Sequence, residues 1–370
     1  MHKVIRRTAA LGAAVLLPLV PATVATAAPA ASAPHARPAA PDRLVEVPAA
    51  EAFRSAVEGS ECGDTLLDGF FDDQVDALVE SGDIAFVAAH QDTLFAVPTY
   101  DALFFGTPDD PAYTLTTHAT QVRHTFRDLR RFWDIDSSDI QLMEMNGESL
   151  LDADRIARTL TAMVATGEAA PMAPEEIQEE AETVAAYTQA HGDLYDNPLW
   201  TLNAFAFSAE GETDPIIAAL PDKLVMGKGI IEAYDSFGLG DVGPRVIMAH
   251  EFAHHVQYEL GTFDTGPTDP SAATRRTELM ADAMASYFAT HKKGLSLNRK
   301  RVADALLSFY TVGDCVFDSP GHHGTPLQRE RAADWGADLA AASRPRSSVL
   351  PAAEVVALFE DALPSIISGS

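Results

Sequence analysis

The sequence has few cysteines, few basic residues and few long apolar runs, and each scarcity excludes a class of protein. Only two cysteines occur in 370 residues, which excludes a small disulfide-rich scaffold. Lysine and arginine number 26 against 54 acidic residues, and the formal net charge of -28 argues against binding to nucleic acid or anionic lipid. Hydrophobic residues make up 47% of the chain, enough for one large or two moderate cores.

The one long apolar stretch lies at the N-terminus and has the pattern of a secretory signal peptide. Residues 1–27 contain three lysine or arginine residues and no acid, then an apolar run that is interrupted by two prolines and ends in small residues. A retained membrane anchor would need about 20 uninterrupted apolar residues, so we expect cleavage after Ala27 and secretion without stable membrane insertion. Loss of three positive charges would change the net charge from -28 to -31. The pair Arg6-Arg7 leaves twin-arginine export as an alternative route.

Composition divides the remainder of the chain into four segments. Residues 28–50 are rich in alanine and proline, which is typical of a flexible linker or a short pro-segment. The other three are a mainly helical N-terminal region (51–198), a region that carries chemical motifs (199–343) and a C-terminal tail with a short helix (344–370). The predicted fold class is α+β, mainly helical, with a small sheet.

Hydrophobic periodicity predicts the individual elements of these segments. Residues 113–134 place four apolar side chains on one stripe at spacings of three and four, which predicts an amphipathic helix: Val122, Phe126, Leu129 and Trp133. Further helices are predicted over 151–165, 174–190 and 230–237. Short apolar runs predict strands over 140–145, 199–208 and 223–227.

One predicted helix, residues 243–261, contains a pattern suited to binding a metal ion. It has proline near its start and glycine just past its end. His250 and His254 are four residues apart, so both imidazoles project from the same side, as two ligands of one tetrahedral ion must. Glu251 is adjacent and can reach the open side of the ion without binding it. This H-E-x-x-H arrangement predicts a zinc site at which Glu251 activates water.

A second helix, predicted over residues 274–291 and capped by its first threonine, places two carboxylates on one apolar face. Glu278 and Asp282 lie four residues apart there. Burying two carboxylates together is unfavourable unless cations or hydrogen-bond donors meet them. A zinc ion beside Glu278 and an imidazole N–H beside Asp282 would supply both. The alternative is an ion pair with Arg275 or Arg276.

These two segments resemble the bacterial neutral zinc metallopeptidases and, more broadly, the minigluzincins. The resemblance rests on residues 250–257 and 278–282, and the segments 203–206 and 225–227 are also similar. It covers about residues 199–335, and the first half of the chain takes no part in it. It implies a gluzincin-type, zincin-like catalytic domain with a small sheet, an active-site helix and a second helix that carries a ligand.

The resemblance also implies roles for single residues. Glu278 would be the third metal ligand, and Asp282, one turn later, would bond to His250 and steady that ring. The turn at residues 321–325, followed by Gln-Arg, resembles the family's His-Gly-Thr turn and implies that His323 stabilises the oxyanion. His322 is extra and leaves the assignment between the two histidines open. A surface turn with no catalytic role is the alternative.

Together these residues predict a secreted peptidase that uses Zn²⁺ to hydrolyse peptide or protein substrates. Glu251 would take a proton from the activated water and pass it to the leaving amine. An extended substrate would pair with the edge of the sheet near residues 225–227 or 203–207. Two alternatives stay open: an exported binding protein with a structural zinc site, and a zinc hydrolase of a non-peptide amide.

The two cysteines, Cys62 and Cys315, lie far apart in the sequence. In an oxidising compartment they predict a single disulfide between the N-terminal and C-terminal regions. Closing such a long loop would contribute on the order of 5 kcal/mol in the chain-entropy model. The alternative makes Cys62 a thiol of the pro-region that caps the metal ion before activation.

Overall fold

The computed structural model describes residues 66–309, 324–345 and 347–369. This part of the chain is mainly helical with one small sheet, which confirms the predicted α+β, mainly helical class at this level. Its α-helices are α1 (Leu66–Ser81), α2 (Ile84–Phe105), α3 (Ala119–Phe132), α4 (Ala153–Thr166), α5 (Pro174–Ala190), α6 (Lys228–Ser236), α7 (Gly243–Glu259), α8 (Pro270–Thr290), α9 (Arg299–Phe309), α10 (Pro326–Ala342) and α11 (Ala352–Ser368). Its strands are β1 (Gln141–Met145), β2 (Ala204–Phe207) and β3 (Lys223–Gly227). None of the described helices combines the length and apolar character needed to cross a membrane.

Helices of the N-terminal half follow the apolar stripes of the sequence where such stripes exist. In α3 the predicted stripe is buried, including Val122, Phe126 and Leu129. This helix is shorter than the predicted 113–134, because a separate 3₁₀ turn occupies Pro111–Tyr113. In contrast, α2 is buried without interruption over residues 93–103. A helix that is buried on all sides shows no single apolar stripe, so periodicity did not predict α2.

The sheet joins sequence from both sides of the predicted boundary at residue 198, and the boundary itself stays a prediction. The strand order is β1-β3-β2, with β1 parallel and β2 antiparallel to β3. Val225 therefore pairs with Met143 on one side and with Phe205 on the other. All five residues of β3 are buried, as expected for a central strand.

The central position of β3 corrects one sequence prediction. Because β3 is hydrogen-bonded on both sides, its residues 225–227 cannot be the free edge that would bind an extended substrate. Of the other predicted segment, 199–208, only Ala204–Phe207 is strand, since a 3₁₀ turn occupies Pro198–Thr201. Within the described residues β2 has a neighbouring strand on one side only, which makes it the remaining candidate edge.

The helix α8 is the core element of the C-terminal half. Its residues 276–289 are buried on every side, because α7, α9, α10 and α11 pack around it. It begins four residues before the predicted start, since Asp269 caps it by accepting a hydrogen bond from the Ala272 N–H at 2.9 Å. Gly336 lets α10 approach closely, because a Cβ there would collide with the carbonyl of Ala283.

A single buried residue, Lys223, joins α2, β3 and α7. Its ammonium is buried and donates hydrogen bonds to the carbonyls of Ala102, Leu103 and Gly106 at 2.7–3.1 Å. Leu103 lies in the last turn of α2 and Gly106 just past its end, where carbonyls lack helical partners, and the Ala102 carbonyl also accepts from the Gly106 N–H. Burial lowers the pKa of Lys223 to about 8. Its own backbone carbonyl accepts a hydrogen bond from Nε2 of His255 at 2.9 Å, which fixes α7 against the sheet.

Candidate metal centre

The helices α7 and α8 bring the three predicted metal ligands together. Nε2 of His250 lies 3.1 Å from Nε2 of His254. The carboxylate of Glu278 completes the group, with Oε2 3.3 Å from Nε2 of His250 and Oε1 3.4 Å from Nε2 of His254. These three side chains could therefore hold one metal ion. Among the described residues no other group of three His, Cys, Asp or Glu side chains meets this condition.

The cluster is buried on one side and open on the other. The side chain of His250 is fully buried, whereas 11% of each side chain of His254 and Glu278 remains exposed. Solvent and small groups can thus approach the cluster from the side of His254 and Glu278. An ion held there would be enclosed by protein only in part.

Behind the cluster, Asp282 holds the ring of His250. Its Oδ1 lies 2.9 Å from Nδ1 of His250, so the pair that the resemblance implies is in contact. Because a carboxylate only accepts, Nδ1 carries a proton and Nε2 faces the cluster. Arg329 of α10 holds Asp282 in turn, with Nε 2.7 Å from Oδ2 and Nη2 2.6 Å from Oδ1. At most 1% of each of these three residues is exposed.

Within the described part of the chain Asp282 pairs with Arg329 and not with the alternative partner Arg276, whereas an ion pair with Arg275 stays a prediction. Arg276 donates instead to Glu360 and to the backbone carbonyls of Thr262 and Thr265. The partner of Asp282 comes from a helix that lies 47 residues later in the sequence.

The surroundings of the cluster favour the protonated, positively charged form of His250. Burial alone would lower the pKa of His250, but hydrogen bonds to Asp282 and Glu278 and their charges raise it to about 9. Burial lowers the pKa of His254 to about 4. Burial would raise the pKa of Asp282, yet the charge of Arg329 and the bond to His250 hold it below its ordinary value. Without a metal ion, the cluster therefore binds one proton at His250.

Comparison with known proteins identified no relative of this chain. The chain matches no protein-family model, no curated protein and no solved structure. The gluzincin resemblance of the two motifs stays a prediction. The chemistry of the cluster is therefore inferred from its own geometry and from its electrostatic surroundings.

Glu251, the predicted base, lies beside the cluster and is not one of its ligands. It follows His250 on α7 and is 2% exposed. Tyr258 lies seven residues later, on nearly the same line of the helix. Burial, and then the charges of Glu251, Asp222 and Glu278, raise the pKa of Tyr258 above its ordinary value. The charges of Glu251 and Glu278 therefore both act on Tyr258.

Several predicted residues lie outside the described residues: His322, His323, Cys62 and Cys315. The segment that follows them is described from residue 324. Thr325 and Gln328 form the predicted capping box at the start of α10. Gly324 lies against Leu279 and Arg275 of α8, so the chain enters α10 close to the turn that carries Glu278.

Sequence reasoning missed two buried residues that orient the ligands. Arg329 belongs to the quoted Gln-Arg pair, but nothing in the sequence shows that its side chain turns inward to Asp282. Gln257 lies three residues after His254, and its Oε1 is 2.9 Å from Nδ1 of that histidine. Its spacing was the available signal, because residues three apart are neighbours on a helix.

A separate cavity of about 640 Å³ opens beside β1 and α3. Its lining includes Tyr113, Arg123, Phe126 and Ile140 and none of the predicted site residues. The ring of Phe126 packs edge-on against Phe252, on the part of α7 that faces away from the ligand histidines. This cavity is therefore distinct from the metal cluster.

Proposed function

We propose that the chain is a secreted zinc-dependent peptidase with a zincin-like catalytic domain. The observation that carries the proposal is the spacing of the ligand atoms. A tetrahedral zinc ion with bonds of about 2.0–2.1 Å requires ligand atoms about 3.3–3.4 Å apart. The atoms of His250, His254 and Glu278 lie 3.1, 3.3 and 3.4 Å apart. Two imidazoles and one carboxylate are also a ligand set that suits zinc.

The number of ligands favours a catalytic site over a structural one. A structural zinc site is closed by four protein ligands, whereas a catalytic site has three and an open position. The described residues supply three, and the cluster is exposed at His254 and Glu278. A structural site needs no general base, whereas Glu251 directly follows His250 in the sequence, which disfavours the alternative of a binding protein with a structural site.

In this proposal each side chain around the cluster has a separate role in hydrolysis. Bound zinc would polarise the substrate carbonyl and lower the pKa of a water molecule to about 7. Glu251 would accept a proton from that water and deliver it to the leaving amine. Asp282, fixed by Arg329, would keep Nε2 of His250 directed at the ion. Tyr258 remains protonated, since its pKa is raised, and lies about two turns after Glu251 on α7.

An extended peptide would bind along β2. This strand is the remaining candidate edge of the sheet, and it packs against α7. Backbone hydrogen bonds to an edge strand hold a peptide in extended form without selecting its sequence. Peptide or protein is therefore the favoured substrate, and a non-peptide amide is the competing one.

The experiment that tests this function replaces Glu251 by glutamine. Glu251→Gln should lower peptide hydrolysis by about 10²–10⁴-fold, because the general base is lost, while zinc content stays unchanged. Glu259→Gln is the matched control, since Glu259 is exposed on the same helix. Metal analysis and digestion of a peptide library would be measured for all three proteins. Unchanged hydrolysis by Glu251→Gln, or no cleavage by the native protein, would contradict the proposal.

A further inference from the structure

The side chain of Gln257 bridges the two helices that carry the metal ligands. Gln257 is fully buried in α7. Its Oε1 lies 2.9 Å from Nδ1 of His254, and its Nε2 donates to the backbone carbonyl of Thr277 at 2.7 Å. Thr277 immediately precedes Glu278 on α8. One amide therefore contacts the ring of one ligand and the backbone beside another.

Hydrogen-bonding chemistry fixes the orientation of this amide. A backbone carbonyl can only accept, so the NH₂ group of Gln257 must face Thr277. The amide oxygen then faces His254 and can only accept as well. Nδ1 of His254 must therefore carry the proton, which leaves the lone pair of Nε2 directed at the cluster. No other tautomer of His254 satisfies both contacts.

The two ligand histidines are thus oriented by different partners. His250 is held by a carboxylate that Arg329 anchors, whereas His254 is held by a neutral amide that Thr277 anchors. Packing alone does not explain Gln257, because an apolar side chain of similar size would fill this space without burying polar atoms.

We propose that Gln257 is a positioning residue, which fixes the tautomer and ring orientation of His254 for metal binding and sets its spacing from Glu278. The inference rests on the metal site of the proposed function but not on the reaction catalysed there. Partners of this kind typically change metal affinity by about 10–100-fold when they are removed.

Two substitutions separate orientation from packing. Gln257→Met keeps the volume but removes the acceptor, and zinc affinity should fall by about 10–100-fold in competition with a chromophoric chelator. Gln257→Glu keeps the acceptor for His254 but loses the donor to Thr277, so its zinc affinity should lie between those of the native protein and Gln257→Met. Thr188→Val is the matched control, because it removes another fully buried helix hydrogen bond, to the Leu150 carbonyl, far along the chain from the cluster. Native affinity in Gln257→Met, or equal losses in both Gln257 variants, would overturn the proposal.

A second measurement does not depend on the variants or on zinc. In metal-free protein labelled with ¹⁵N-histidine, NMR should show His254 protonated at Nδ1 and bare at Nε2. Protonation at Nε2 would overturn the proposal even if Gln257→Met failed to fold. Peptide hydrolysis by the native protein separates this inference from the proposed function. Native protein that binds zinc but cleaves no peptide would refute the function and leave the role of Gln257 intact.

Discussion

Asp101 in the N-terminal half and Glu278 in the C-terminal half are both buried carboxylates on helices, but their neighbours differ. Asp101 is 1% exposed and accepts hydrogen bonds at 2.5–2.8 Å from Tyr113, Arg155 and Arg158. Two positive charges and two hydroxyls, those of Tyr113 and Thr159, therefore surround this carboxylate. Their bonds satisfy it without any ligand.

Glu278 has the opposite kind of neighbour. Its oxygens face the Nε2 atoms of His250 and His254, whose Nδ1 protons are directed away toward Asp282 and Gln257. A proton on His250 can bridge part of this group, and a divalent ion would bind all three ligands. The two carboxylates thus differ in their partners: arginines of the chain neutralise Asp101, whereas Glu278 lies against two imidazoles and could hold a metal ion together with them. We call a cluster of the first kind, satisfied by side chains of the protein, structural.

The largest expected change in the free energy of unfolding comes from replacing Asp101, and it tests the difference between the two carboxylates. Asp101→Asn should destabilise the fold by about 3–5 kcal/mol, because a buried carboxylate loses its charge and the partly exposed Arg155 and the exposed Arg158 lose their partner. Urea unfolding would measure the change, and zinc affinity should stay at its native value. Asp304→Asn is the control, since the exposed pair of Lys300 and Asp304 contributes roughly 0–1 kcal/mol. A loss of zinc affinity in Asp101→Asn would contradict the assignment of Asp101 to a structural cluster that is independent of the metal cluster.

The second expected change is stabilisation of the folded protein by bound zinc. At a zinc concentration about 1,000 times its Kd, the native protein should gain about 4 kcal/mol in free energy of unfolding, because the ion binds only the folded cluster. Glu278→Gln should lose most of this gain, whereas Asp101→Asn should keep it. Thermal unfolding with zinc and with chelator would measure both. Equal zinc stabilisation of Glu278→Gln and native protein would show that Glu278 is not a ligand.

The same comparison explains which parts of the site the sequence could predict. His250 and His254 lie one turn apart on one helix, so their convergence follows from local geometry. The place of Glu278 beside them depends on packing of α7 against α8, and only the resemblance and its apolar surroundings predicted it. Arg329 could not be predicted, because its reach to Asp282 depends on close approach of α10 to α8.

The fold shows the same division between local and long-range information. Helices with one apolar stripe, such as α3, were predicted with shifted ends, and β3 was predicted at its observed position. The helix α2, buried on all sides over residues 93–103, was missed, and so was the pairing of β1 with β3, since parallel pairing depends on distant sequence. The predicted edge position of residues 225–227 was wrong for the same reason, because the sequence of a strand does not determine which strands pair with it.

Lys223 is a third buried charge and extends the comparison to pH. Its ammonium is satisfied by three carbonyls of the chain, so it belongs with the structural kind. Burial lowers its pKa from an ordinary 10.5 to about 8. Between these values the unfolded chain binds more protons than the folded one. The free energy of unfolding should therefore rise with pH in this window, by up to about 3 kcal/mol. Below the window this group lowers the free energy of unfolding by a constant amount and adds no slope with pH.

Replacing Lys223 by methionine should remove that rise, because the titrating group is gone. Urea unfolding of native protein and Lys223→Met from pH 7 to 10 would measure it as a difference between two slopes. Lys300→Met is the control, since the side chain of Lys300 is 83% exposed and its loss should leave the slope unchanged. Parallel slopes for native protein and Lys223→Met would mean that the carbonyls at the end of α2 compensate fully for burial. In that case the buried ammonium of Lys223, with its three acceptors, would keep its ordinary pKa. Burying its charge would then have no free-energy cost that depends on pH.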